Sequence, residues 1–310
     1  MPVLEWLLSG DPAIRWQVLR DLADASPDVV TSERSRVATE GWGAALLALQ
    51  DDDGQWAGDP YWPAGIDAHE DGGQPWVAST YTLLLLRDLG LDPGSDQAKK
   101  AIAGVRESRW EEGGHFYFEG ETEPCINGMV VALGAYFGED VDRLVARLLG
   151  EQLEDGGWNC EAENGSVRSS FDTTINVLEG LLEHERATGG SPAATEARRR
   201  GEEYLLERGL LRRKSTGEVV DPAWLLFSFP TRWHYDVLRG LEYFRVVGGR
   251  LDDRIVEAVE LVRSKRQPDG VWLLEDTHPG RVHFSMEDGD GSPSRWNTLR
   301  AMRVLAWQRP

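Results

Sequence analysis

The sequence predicts an all-α chain built from repeated helical hairpins, and three observations carry that prediction. A Q-x-x-D-G-x-W turn recurs, at Gln50 to Trp56 and at Gln152 to Trp158, and again one residue shorter at Gln267 to Trp272. Each copy follows one helical segment and precedes a second whose apolar residues recur at three-to-four spacing. Strand signals are almost absent.

In chain order, an apolar segment (Val3 to Leu8) and an amphipathic helix (Ile14 to Leu22) form an N-terminal helical pair within residues 1–40. The first repeat then opens with a helix at Gly43 to Gln50, which the Asp53-Gly54 pair stops, because glycine takes the left-handed conformation that ends a helix. Its second helix is expected from Val77 to Leu89. A weaker turn, Glu112-Gly-Gly-His-Phe116, precedes the helix Ile126 to Phe137. The third repeat pairs Asp142 to Leu149 with Thr173 to Leu182. A faint copy at Ser215 to Glu218 precedes Tyr235 to Val247, and the fifth repeat ends with Thr298 to Trp307. Pro75, Pro124 and Pro230 sit just before or at three of the second helices, as proline does at helix starts. The turn glycines 54, 113, 156, 217 and 270 lie 54 residues apart on average, and no short helical-repeat period fits. The expectation is one unit, 1–310, with five repeats over 41–310 and about six hairpins in all. Such hairpins form an open solenoid or close into a ring, and the residues leave both open.

Composition narrows the function classes. The chain has 33 basic and 53 acidic residues, a formal net charge of −20. That balance speaks against nucleic acid, whose phosphates need a basic face, and against an anionic membrane surface. No apolar run approaches the roughly 20 residues of a membrane span. The first residues are too short and too acidic for a signal peptide, and two cysteines make no disulfide framework. A cytoplasmic location is expected. Tryptophan is over-used, 13 residues against 8 Phe and 7 Tyr.

The Q-x-x-D-G-x-W copies resemble the QW repeats of squalene and oxidosqualene cyclases, with weaker versions in protein prenyltransferase β subunits. The resemblance covers roughly 41–310. It implies an α/α toroid, a double ring of helices closed on itself, in which the Gln and Trp tie an outer helix to its neighbour. It also implies an isoprenoid-like molecule held in a central cavity, by an enzyme of cyclase or transferase type. The family's D-x-D-D and D-D-x-x-D acids are both missing; Asp51-Asp52-Asp53 lies inside a turn.

In such a ring the loops entering the inner helices share one face, where function concentrates on a rigid scaffold. Their rings and acids suit a hydrophobic molecule with a polar end, and Trp62, Trp76, Phe116, Phe171, Trp233, Tyr235 and Trp296 are the candidate substrate-binding residues. The same rings also serve as loop packing. Asp172 and Asp236 begin neighbouring inner helices and act either as an acid–base pair with His234 or as helix caps. In the prenyltransferases zinc is held by an Asp-x-Cys and a His entering successive inner helices. Glu123-x-Cys125 resembles the first pair, and His234 stands one repeat later than the pattern requires. Cys125, Cys160 and His234 are thus a candidate zinc set, with Cys125 at a helix start that favours the thiolate. The alternative is two buried structural cysteines and a capping histidine. A non-catalytic toroid binding lipid or peptide, or a zinc-dependent thiol enzyme like the lanthipeptide cyclases, are the other functions this pattern allows.

Overall fold

The computed structural model describes residues 3–63, 65, 74–110 and 113–307. Helices dominate: α1 (Val3–Leu8), α2 (Pro12–Asp21), α3 (Pro27–Ser35), α4 (Gly41–Leu47), α5 (Ser79–Leu89), α6 (Asp96–Arg106) and α7 (Pro124–Phe137). They continue with α8 (Asp142–Gly150), α9 (Phe171–Thr188), α10 (Pro192–Leu206), α11 (Val237–Val247), α12 (Val256–Ser264) and α13 (Arg295–Trp307). Strand is confined, among the described residues, to the two-residue pair β1 (Trp272–Leu273) and β2 (Pro293–Ser294). Helix α3 has no apolar period to mark it in the sequence, because it buries none of its residues.

The hairpins close into an α/α toroid. Helices α2, α5, α7, α9, α11 and α13 each touch the next around an inner ring. The ring is closed by α13 meeting α2, where Arg303 bonds Gln17 and pairs with Asp21 at 2.7 Å. On the far side of α2, Trp16 Nε1 donates to the Leu89 carbonyl at 2.8 Å. Helices α4, α6, α8, α10 and α12 form the outer layer. Five of the six inner helices lie within a few residues of the bounds expected from the sequence.

The Gln/Trp turns lock outer to inner helix in one repeated geometry. Trp56, Trp158 and Trp272 are fully buried, and each donates its indole N–H to a carbonyl ten residues back: Leu46 (2.8 Å), Leu148 (2.7 Å) and Val262 (2.7 Å). Each also donates its backbone N–H to a hydroxyl of the following inner helix, Ser79, Thr174 or Thr298. Gln50 bridges Gly54 to the Ala101 carbonyl of α6, and Gln152 bridges Gly156 to Ala197 of α10. Gln267 turns instead to the Lys265 carbonyl, as its shorter turn requires. In the weaker second copy Glu112 lies outside the described residues, and Trp110 donates its indole N–H forward to Tyr117 O at 2.9 Å.

Candidate functional site

Two adjoining cavities occupy the ring. The upper one, about 300 Å³, opens where the chain enters the inner helices. Its walls are Leu46, Trp76, Leu85, Phe229, Leu274, Phe284 and Met286, with Arg232, His278, His283, Glu287 and Asp288 as its ionisable lining. The lower one, about 430 Å³, runs down the lumen toward the far ends of the inner helices. Leu85, Phe229, Pro230 and Arg232 border both.

Local sequence explains how these groups are held. Trp76 donates its backbone N–H to Arg281 O at 2.7 Å and its indole N–H to Pro279 O at 2.9 Å, which fastens the 274–289 loop over the entry to α5. Gly280 permits the approach: a Cβ there would overlap the Gln74 carbonyl. Arg232 adopts a positive φ of 56° and lays its guanidinium over the Trp76 ring, 5.4 Å from the centroid. Burial lowers its pKa to about 10, outweighing the pull of Asp88, with which it makes no ion pair.

The upper-cavity histidines are held neutral. His283 Nε2 shares a 2.9 Å hydrogen bond with the Thr82 hydroxyl of α5, and burial lowers its pKa to about 4. His278 stacks on His234 at 4.0 Å between centroids; burial lowers its pKa against the weaker pull of Asp276. Its Nε2 is buried without a hydrogen-bond partner among the described residues. Glu287 moves the other way, since burial raises its pKa despite bonds from Ser294 and the Trp296 amide. Neutral imidazoles beside a carboxyl whose pKa is raised leave the upper cavity with little negative charge to oppose Arg232.

The sequence-derived site residues divide. Trp76 lines the upper cavity and Trp296 the lower, where Trp296 stacks on Phe229 at 4.1 Å. Phe171 and Tyr235 pack into a buried aromatic cluster with Trp224, outside both cavities. Phe116 is 38% exposed under Arg109, in the loop-packing role. Trp62 sits in the turn capped by Asp59, and Trp233 donates its indole N–H to Gln74 at 2.8 Å. Neither of these two borders a cavity. His69 and the rest of 66–73 lie outside the described residues.

Asp172 and Asp236 both serve the backbone. Asp172 Oδ1 accepts from Tyr235 N at 2.7 Å, bridging the starts of α9 and α11. Asp236 caps α11 through the Arg239 amide at 2.7 Å and accepts from the Ser228 hydroxyl at 3.1 Å. Their oxygens point at amides, and neither lines a cavity.

The cysteines do meet, with Sγ atoms 2.6 Å apart, and Glu123 Oε2 lies 3.3 Å from Cys125 Sγ. Glu123, Cys125 and Cys160 offer three donor atoms within 4.8 Å of one another. His234 is not the third member. It is sandwiched between Trp233 and His278, and burial lowers its pKa to about 3. The helix start does not give Cys125 a thiolate either: its hydrogen bond with Cys160, then burial, push the thiol well above its usual range. As a metal fit, one carboxylate and two thiols with a position left open match the donor chemistry of zinc. The two sulfurs would have to part by about 1 Å to share an ion bound at roughly 2.3 Å.

Sequence reasoning missed the arginines of the lumen. Arg87, Arg239, Arg300 and Arg303 stand on inner helices that otherwise read as core. The available signal was arginine placed inside an apolar helix, as in Val237-Leu-Arg239-Gly-Leu241.

No family model matches the chain, and no curated protein matches it. Solved structures do. A protein from Actinoplanes is 14% identical, with 96% of this chain and 90% of that one covered, at a TM-score of 0.45. Two variants of the type II terpene cyclase MstE from Scytonema, each with geranylgeranyl dihydroxybenzoate, are both 16% identical. They cover 96% of this chain and 86% of theirs, at TM-scores of 0.45 and 0.42. Likeness at this level transfers no activity, and the toroid rests on the ring's own contacts. Among the described residues no helix is long and apolar enough to cross a membrane.

Proposed function

We propose that the protein binds an elongated hydrophobic molecule, isoprenoid-like in class, in the upper cavity, with the molecule's polar end at Arg232. The carrying observation is the lining: apolar and aromatic walls around one guanidinium that has no carboxylate partner among the described residues. That is the usual form of a small-molecule site, a mostly apolar concavity with few orienting polar groups. The resemblance of the Gln/Trp turns to cyclase repeats supports the isoprenoid class.

The test is titration of the intact chain with farnesoic acid and with farnesol, read by tryptophan fluorescence. Both should bind saturably, the acid more tightly. Arg232→Met should weaken the acid about tenfold, the loss of one charge-assisted contact, and leave the alcohol within twofold. Met286→Asp should weaken both. Absence of saturable binding by either compound overturns the reading.

One observation favours a second reading, that of a metal-dependent thiol enzyme: the Glu123–Cys125–Cys160 cluster. Bound zinc would hold both sulfurs as thiolates, offsetting the forces that keep Cys125 protonated. Zinc analysis of the purified protein decides it, with about one ion per chain expected, lost in Cys160→Ser.

A further inference from the structure

The lower cavity differs from the rest of this acidic molecule. Nine arginines line it against four carboxylates, in a chain whose formal net charge is −20. Six of the nine have acidic neighbours. Arg20 and Arg303 share Asp21, at 2.6 and 2.7 Å, and Arg245 holds Glu242 at 2.8 Å. Arg87 holds Asp88 at 3.0 Å, Arg239 holds Glu179 at 2.8 Å, and Arg300 lies 3.8 Å from Asp236.

The other three make no ion pair among the described residues. Arg34 donates to Gly90 O and the Tyr136 hydroxyl, both at 2.9 Å. Arg186 donates to Val246 O, and Arg232 lies over Trp76. Counting Asp21 and Asp236 with the four lining acids leaves nine positive charges against six negative, a surplus of three. Surplus cations around one shared space repel one another, and a matching anion offsets that repulsion.

We propose that the lower cavity is a binding site for a small polyvalent oxyanion of the phosphate class. A monocarboxylate would leave most of the surplus standing, whereas a phosphate or pyrophosphate offsets two or three charges in one compact body. Guanidinium forks match its oxygens in pairs. The volume of about 430 Å³ accepts such an ion with its remaining water. This goes beyond the upper-cavity reading and stands without it, since Arg34 and Arg186 border only the lower space.

The experiment is calorimetric titration of the intact chain with sodium pyrophosphate and with inorganic phosphate, against sodium chloride at matched ionic strength. Saturable binding near one ion per chain is expected, tighter for pyrophosphate, with a Tm that climbs with its concentration by mass action. Arg34→Gln with Arg186→Gln should lose at least tenfold in affinity. Arg186→Gln alone, at an exposed side chain with one carbonyl bond, guards against misfolding of the double variant and should lose about threefold. A Tm rise that sodium chloride reproduces, or affinity unchanged in both variants, overturns the proposal. Apolar-ligand binding in the same variants should stay within twofold, which separates this site's failure from that of the upper cavity.

Discussion

Gly180 of α9 faces Gly128 of α7 so closely that a Cβ on Gly180 would come within 2.4 Å of the Gly128 carbonyl oxygen. The two inner helices meet backbone to backbone here, and no larger residue fits without parting them. Gly180→Ala gains up to about 1 kcal/mol of helix propensity. Overpacking costs typically 1–3 kcal/mol, so a net loss of about 1–2 kcal/mol is expected. Denaturant unfolding checks this, with an unchanged midpoint counting against the close approach.

The indole bond from Trp158 to Leu148 O repeats in two other turns, and it anchors an outer helix to its inner partner. Trp158→Phe removes the donor, orphans that carbonyl and leaves a small void. The expected loss is about 2–4 kcal/mol. Trp56→Phe and Trp272→Phe should cost similar amounts, as equivalent positions must. A spread from near zero to the full value would deny the equivalence.

These turns were legible in the sequence because everything they need is local: a glycine at positive φ, a glutamine before it, a tryptophan after it. The lumen was not. Whether Arg239 or Arg303 faces a neighbour or the central space depends on the rotation of each helix within the closed ring, and a helical period alone does not set it. That Cys125 and Cys160 lie close together could be read from their places in a loop or first turn of adjacent repeats. Adding His234 required knowing which neighbours its loop folds against, and Trp233 and His278 claim it.

Acid should loosen the mouth before the rest. His234 and His283 have folded pKa values of about 3 and about 4, below the ordinary 6.5. The unfolded chain therefore binds more protons than the folded one below pH 6.5. Stability is full above that value and falls as pH drops toward 4 and then 3. Thermal melts from pH 7.5 to 4 should show this decline. His283→Gln keeps a partner for Thr82 and should flatten part of it.

Cys125 should be a slow thiol. It donates to Glu123, and its contact with Cys160 and its burial raise its pKa, so alkylation by iodoacetamide near pH 8 should lag well behind that of a free cysteine. Cys160→Ala removes the largest of those influences. Faster labelling of Cys125 in that variant, read by peptide mass mapping, is expected. An unchanged rate would mean burial alone governs it.

Asp236 offers the sharpest separation of cap from catalyst. It is 2% exposed, caps α11 through Arg239 N, and has Arg300 at 3.8 Å. Asp236→Ala loses the cap, worth about 0.5–2 kcal/mol, and strands the Ser228 hydroxyl and the Arg300 charge, so about 2–4 kcal/mol should go in all. Asp236→Asn keeps an acceptor for the amide and should recover roughly half. Since Asp236 lines neither cavity, farnesoic acid should bind both variants within about twofold of the parent once temperature is low enough to keep them folded. A variant that stays as stable as the parent but loses ligand binding would return Asp236 to the site and make its capping bond incidental.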